Sequence, residues 1–319
     1  MSAEAQRLPQ DDTRTHLMVQ VARMAWAEDR TQTEIASETG LNRWQVARLL
    51  QEARDQGIVR IEILPPDLRQ PALEAALVAR FGLRDAVVIG TEAGPEAVTQ
   101  AAGRYLAALR PTPELIGVSW GRTMAQVAHW LPMGWADGVR VVQINGTVAP
   151  KPQASGHDDV AATFARKGQG RFTPLPVPAI LGRAETARVL EDDRIVADVL
   201  SLARSAPVLC FSMGAMTDDS AHLHSGNLTG EEIARLRVAG AVGDILGRFV
   251  TADGQIASAG IDARTIGLKL DQLGRHDRRI GVVTGTDKHA IACAALRAGF
   301  VNTLITDAAT AAHALETSQ

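Results

Sequence analysis

Residues 115–123 have the sequence Leu-Ile-Gly-Val-Ser-Trp-Gly-Arg-Thr. A short apolar run that can form a buried strand is followed by a glycine for a tight turn, then by a guanidinium and a hydroxyl where a helix starts. Backbone N–H groups and the helix dipole at such a start favour an anion, usually a phosphate. Ser119, Gly121, Arg122 and Thr123 are therefore candidate anion ligands. A plain strand-to-helix turn capped by Thr123 is the alternative.

The same strand-then-helix pattern continues to the C-terminus. Strands are predicted at residues 86–89, 115–119, 139–144, 208–212, 280–284 and 303–306. Helices are predicted at residues 96–109, 123–131, 158–166, 193–202, 287–298 and 308–315. Such alternation is typical of an α/β fold, here Rossmann-like, with a largely parallel sheet covered on both faces.

Ligands of parallel sheets bind beyond the carboxyl ends of the strands, so the loops that follow the strands are candidate ligand contacts. Lys288 in residues 283–288 falls in the first turn of a predicted helix, against the usual dipole preference. An anion would offset its charge, whereas a surface lysine is the alternative interpretation. The remaining candidates in these loops are Asn145, Gly146, Thr147, Gly214, Asp244, Thr284 and Gly285.

The first 64 residues have the pattern of a small all-α helix-turn-helix domain. Thr31 followed by Glu34 predicts a capping box, Gly40 allows a tight turn, and Asn42 can cap the next helix. Alternating residues 57–64 predict a short strand, as in a winged helix. An αα-hairpin with a merely solvated polar face is the alternative.

The second helix of this motif would present arginine to guanine and glutamine to adenine. However, residues 1–64 hold eight arginines against ten acidic residues, which argues against strong non-specific DNA affinity. Binding would therefore rely on direct contacts and on oligomerisation. The candidate DNA-binding residues are Thr31, Gln32, Asn42, Arg43, Trp44, Gln45, Arg48 and Arg54.

Composition excludes several other classes. The 319 residues carry a net charge of −3, and no stretch is apolar enough to span a membrane. Residues 1–12 do not resemble a secretory signal, and Cys210 and Cys293 lack zinc-site or disulfide spacing, so we expect a cytoplasmic protein without a cofactor. Metal sites were considered at two pairs, His157 with Asp158 and His222 with His224, but no third ligand is suitably spaced.

Three prolines in residues 65–71 predict an extended spacer. The expected organisation is a DNA-binding domain at 1–64, a linker at 65–71, and an effector and oligomerisation domain at 72–319.

Several segments together resemble the SorC family of bacterial sugar-responsive transcriptional regulators. They are residues 33–36, 42–50, 53–59, 116–123, 142–146, 283–291, 294–297 and 304–307. The resemblance implies an effector domain similar to sugar-phosphate isomerases and deaminases, which binds a phosphorylated sugar or polyol, and a dimer or tetramer on operator DNA. It also implies that Gly121–Thr123 and Lys288 contact phosphate and that Asn145, Gly146 and Asp244 face the sugar.

Two hypotheses follow. In the first, the protein regulates transcription of a carbohydrate or polyol catabolic operon and is not an enzyme. In the second, it is a sugar-phosphate isomerase or deaminase with an N-terminal appendage, in which Asp244 would be the carboxylate base. No paired acid or base group is suitably spaced for that reaction, nor is a Ser/His/Asp triad.

Overall fold

The computed structural model describes residues 9–26, 28, 30–55, 58–59, 68–94, 96–147, 160–217, 222 and 228–317. The chain forms two compact units, Met1–Pro66 and Asp67–Gln319. Their boundary lies inside the proline-rich stretch that the sequence marked as a spacer. Residues 68–70 nevertheless belong to the second unit, because Gln70 N–H donates to Val88 O at 2.8 Å and Gly90 N–H donates to Leu68 O at 2.7 Å.

The first unit consists of helices α1 (Pro9–Trp26), α2 (Gln32–Thr39) and α3 (Arg43–Asp55). The predicted capping box at Thr31 and Glu34 is confirmed, and Gly40 ends α2 in the left-handed conformation at a φ of 72°. The three helices share an apolar core. Its largest members are Met18, Val21, Met24, Ile35, Val46, Leu49 and Leu50. Of the strand predicted at 57–64, the structure describes only Ile58 and Val59, which form a bend.

The second unit is built on one sheet, whose parallel strands follow the order β1-β9-β8-β5-β2-β3-β4. An antiparallel hairpin, β6–β7, is attached to the end of β5. The strands are β1 (Asp85–Ile89), β2 (Leu115–Val118), β3 (Arg140–Gln143), β4 (Arg171–Thr173), β5 (Val208–Ala215), β6 (Ala241–Ile245), β7 (Arg248–Thr251), β8 (Arg278–Val283) and β9 (Thr303–Asp307).

Helices cover both faces of this sheet and enclose two apolar cores. They are α4 (Pro71–Phe81), α5 (Ala97–Ala108), α6 (Arg122–Trp130), α7 (Val160–Lys167), α8 (Ala184–Asp192), α9 (Arg194–Ser205), α10 (Gly230–Val238), α11 (Ala259–Asp262), α12 (His289–Arg297) and α13 (Ala308–Glu316). The α/β class is confirmed, as are all six predicted strands to within a few residues at their ends. The sequence missed β4, β6, β7, α4, α8, α10 and α11. It missed α4 because Pro71 opens that helix, where a proline is well tolerated, instead of ending a spacer.

A buried arginine joins β7 to the segment 262–268. Arg248 is 1% exposed, and its Nε donates to Leu268 O at 2.9 Å. Its Nη1 donates to the Asp262 carboxylate at 2.6 Å and to Asp262 O at 3.2 Å, and its Nη2 donates to Thr265 O and Gly267 O. One guanidinium thus satisfies the buried carbonyls of Thr265, Gly267 and Leu268, and it shares Asp262 O with the Thr265 N–H group.

Replacing Arg248 with methionine should lower the free energy of unfolding by about 3–5 kcal/mol. The buried carbonyls and the Asp262 carboxylate would lose the guanidinium that donates to them. Chemical denaturation of the full chain measures the change. Arg235→Met is the matched control, because Arg235 forms an exposed ion pair with Glu231 and should shift stability by about 0.5 kcal/mol or less. Equal effects from the two variants would contradict a structural role for the buried network.

Candidate functional site

A cavity of about 110 Å³ lies where the loops after β2, β3 and β5 meet the β6–β7 hairpin and the turn before α12. This is the carboxyl edge of the parallel sheet, where ligands of such folds bind. Eight of the twelve residues that the sequence predicted for effector binding line it: Ser119, Gly121, Arg122, Thr123, Asn145, Gly214, Asp244 and Lys288.

One end of the cavity is formed by the start of α6. Gly121 precedes this helix at a φ of 129°, a conformation that L side chains rarely adopt, so the tight turn requires glycine. No side chain of the described residues caps this helix start. The N-cap residue Gly121 has no side chain to cap the first backbone N–H groups of α6, and a helix start of this kind suits an anion.

Lys288 extends to the same end from the turn that precedes α12. Its Nζ donates a hydrogen bond to Thr123 Oγ1 at 3.2 Å. Burial lowers the pKa of Lys288 below its ordinary value of 10.5, and neighbouring Arg122 acts in the same direction, whereas Asp287 and Asp244 oppose the shift. A bound anion would compensate the desolvated ammonium and favour its charged form.

The cavity lining also includes a buried carboxylate. Asp244 accepts a hydrogen bond from Gly247 N–H at 2.9 Å, and His222 Nε2 lies 3.5 Å from the same oxygen. A Cβ at position 214 would lie only 2.0 Å from Asp244 Oδ1. Glycine at this position therefore makes room for the carboxylate. The hairpin and β5 thus position Asp244 jointly.

Asn145 follows β3 and is 2% exposed. Its backbone carbonyl accepts a hydrogen bond from Gln143 Nε2 at 2.8 Å, but no described residue donates to its side-chain Oδ1. Buried side-chain oxygens are rarely left without a donor, because the lost hydration costs free energy. A ligand hydroxyl in the cavity could supply that donor.

The structure does not bring four predicted residues into the cavity. A Cβ on Gly146 would lie 2.6 Å from Pro178 O, so this glycine serves close backbone packing, and Thr147 Oγ1 donates to Val177 O at 3.1 Å. Thr284 and Gly285 are held instead by Asp307, whose Oδ2 accepts from Gly285 N–H at 3.0 Å. Burial alone would raise the pKa of Asp307, but hydrogen bonds from Thr310, Thr284 and Gly285 lower it overall.

Two aromatic side chains of the cavity were not predicted. Trp120 lies within the loop quoted first, and its Nε1 donates to Gly146 O at 2.6 Å. The ring of His222 packs edge-on against Trp120, with centroids 5.4 Å apart, and against Phe249 at 5.7 Å. The sequence around His222 suggested only a metal ligand, because nothing local in the chain links His222 to Asp244.

Among the residues that the structure describes, no group of three potential ligands could hold a metal ion. His157, Asp158 and His224 lie outside the described residues. Within the described part, no helix is both long and apolar enough to cross a membrane.

In the first unit, α3 presents Arg43, Trp44, Gln45 and Arg48 to solvent. Gln45 is partly engaged, because its side-chain oxygen accepts from Asn42 N–H while Asn42 Oδ1 accepts from Gln45 N–H, both at 2.9 Å. Asn42 and Gln45 therefore form a reciprocal cap. Of the other candidates, Thr31 caps α2, Gln32 is its first residue, and Arg54 lies over the Trp26 ring at 5.2 Å.

A helix-turn-helix unit joined to a parallel α/β unit with a polar cavity at its strand ends defines the class of ligand-responsive DNA-binding proteins. The family model described as "Putative sugar-binding domain" matches residues 68–316. The chain belongs to the SorC family of sugar-binding transcriptional regulators. This assignment supports the regulator hypothesis and not the isomerase or deaminase alternative.

Individual relatives agree with this assignment. The deoxyribonucleoside regulator of Bacillus subtilis is 32% identical over 94% of this chain and 97% of its own length. The transcriptional regulator LsrR of Klebsiella pneumoniae is 32% identical over 91% of each chain. The crystal structure of the full-length sorbitol operon regulator SorC from Klebsiella pneumoniae is similar with a TM-score of 0.72 and 27% identity, covering 94% of this chain and 98% of that one.

Gly214→Ala should destabilise the second unit by about 1–3 kcal/mol, because the added methyl must displace the Asp244 carboxylate from its hydrogen bond. Gly182→Ala is the control, since its Cβ would meet no atom within 4 Å and should change stability by about 0.5 kcal/mol or less. Thermal unfolding of both variants tests the difference. If the two unfold alike, the carboxylate moves aside freely and is not positioned as described.

Proposed function

We propose that a small phosphorylated sugar or polyol binds in this cavity and controls the binding of operator DNA by α3. The observation that carries the proposal is that the cavity lining combines two kinds of polar group. A helix start and the Lys288 ammonium line it as donors, and the oxygens of Asp244 and Asn145 line it as acceptors.

The hydrogen-bond donors around Lys288 suit a phosphate. The first N–H groups of α6, the Thr123 hydroxyl and the Lys288 ammonium are all hydrogen-bond donors next to one another. Such an arrangement stabilises a dianion through both charge and directed hydrogen bonds. Lys288 is already partly desolvated in the ligand-free protein. Ligand binding therefore does not have to supply the whole free energy of desolvating its ammonium group.

The acceptor oxygens of Asp244 and Asn145 suit the hydroxyl groups of a sugar. Asp244 and the unpaired Asn145 Oδ1 can each accept a hydrogen bond from a sugar hydroxyl, and the edges of Trp120 and His222 offer apolar contact to its carbons. An asparagine amide cannot form a Schiff base with an aldehyde sugar, so binding is reversible. Two relatives are named for deoxyribonucleosides and for sorbitol, which supports a polyhydroxylated effector here as well.

DNA binding in this proposal requires an oligomer. The net charge of −3 and the acidic balance of the first 64 residues provide little attraction for phosphates from a single copy. Two or more copies on repeated half-sites would add their direct base contacts and compensate for this weakness. Ligand binding would act by favouring one arrangement of the copies over another.

Lys288→Ala should weaken the binding of sugar phosphates by about ten- to a hundredfold, because a charge-assisted hydrogen bond is lost, while operator binding without ligand stays intact. Calorimetric titration with a panel of pentose, hexose and polyol phosphates measures the affinity. Lys269→Ala, which removes an exposed lysine, is the matched control. A Lys288 variant that loses DNA binding but keeps normal ligand affinity would contradict the site assignment.

Arg43→Ala and Arg48→Ala should each reduce affinity for the operator at least tenfold and leave the thermal stabilisation by ligand unchanged. Mobility-shift titration on DNA from upstream of the gene tests this, with Arg188→Ala on exposed α8 as the control. The regulator mechanism itself would be refuted if the unmodified protein formed no sequence-specific complex, with or without sugar phosphates.

A further inference from the structure

The outward face of α3 carries an unusually exposed aromatic residue. Trp44 is 69% exposed on the second residue of the helix, while Val46, Leu49 and Leu50 on the opposite face are buried. An isolated exposed aromatic is unremarkable in itself. Its chemical surroundings on α3 indicate what it contacts.

Several polar side chains near Trp44 already have partners on the same helix. Gln45 is held in the reciprocal cap with Asn42, and Gln51 Nε2 donates to Asp55 Oδ1 at 2.9 Å. Arg48 Nε donates to Glu52 Oε1 at 3.0 Å. Reading bases through Gln45 or Gln51 would first require these hydrogen bonds to break, which weakens that readout.

Trp44 and Ala47 form a small apolar patch between Arg43 and Arg48. They lie three residues apart, so they are neighbours on the helix surface, and Ala47 is exposed too. The Arg48 guanidinium lies 5.7 Å from the centre of the Trp44 ring and restrains one side of it. Residues 43–51 contain Arg43 and Arg48 and no acidic residue.

An apolar patch flanked by two arginines, of which Arg48 is paired with Glu52, matches one feature of DNA in particular. The C5-methyl of thymine is the apolar group on the major-groove edge of the base pairs, and apolar side chains recognise it by contact. The small Ala47 lets the groove floor approach α3 closely beside the indole. A protein partner at this face would need charge complementarity to both arginines as well, which the phosphates of DNA supply on both sides of the groove.

We propose that Trp44 is a specificity-determining residue that recognises thymine C5-methyl groups in the operator half-site, with Ala47 providing the space beside it. The proposal rests on the proposed function of α3 as the recognition helix. It assigns any recognition of A·T pairs by this face to methyl contact rather than to glutamine-to-adenine hydrogen bonding.

The test uses the full chain and DNA selected from a random duplex pool. Each thymine of the selected half-site is replaced in turn by deoxyuridine, which removes one methyl group and preserves every hydrogen bond of the base pair. The unmodified protein should lose about fourfold in affinity at one or two thymines per half-site, the amount expected for one buried methyl group. Replacements elsewhere should have no effect.

Trp44→Ala should bind thymine and deoxyuridine operators equally, whereas Trp44→Phe should keep part of the discrimination. Arg43→Ala is the control, since it should bind both operators more weakly but in an unchanged ratio. Circular dichroism and sedimentation should show that each variant keeps its helix content and oligomeric state.

Three results would overturn the proposal: no deoxyuridine effect with the unmodified protein, an undiminished effect with Trp44→Ala, or a change in oligomeric state in that variant, which would make Trp44 a contact between copies. With sequence-specific binding intact, each of these leaves the regulator function standing. Failure to select any sequence at all would instead refute the proposed function and this inference with it.

Discussion

The buried guanidinium of Arg248 holds the segment 262–268 in place. The position of Asn145 in the cavity wall depends on that segment. Arg248 uses its Nε and both terminal nitrogens to bind it, a forked geometry that lysine cannot reproduce. The segment in turn pairs with the end of β3, since Leu268 N–H donates to Ile144 O and Gly146 N–H donates to Ile266 O. Asn145, between these two bonds, is thereby fixed in the cavity wall.

Much of the second unit could be predicted because its signals are local. Parallel strands buried on both faces are short apolar runs, and glycine with polar residues follows where each ends. Carboxyl ends of parallel strands converge on one edge, so loops far apart in the chain, such as those at Thr123 and Lys288, could be assigned to one site without any knowledge of strand order.

Four predicted residues lie outside the cavity lining for a shared physical reason. Glycine and hydroxyl residues after a strand can also serve packing or hydrogen bonding with residues far along the chain. Glycine at 146 shows that the backbone needs space, but its close neighbour, Pro178, is known only from the structure. Gly285 N–H donates to the Asp307 carboxylate, 22 residues further on.

The charges around the cavity explain why a ligand with two kinds of group fits better than either group alone. Lys288 and Arg122 lie near Asp287 and Asp244, so the cluster is formally balanced before any ligand enters. Inorganic phosphate would pair with the ammonium but leave Asn145 Oδ1 without a donor, and an unphosphorylated polyol would do the reverse. In the proposed function, a molecule that carries both a phosphate and hydroxyls satisfies both sets of groups, and discrimination between sugars would fall to the hydroxyls that meet Asp244 and Asn145.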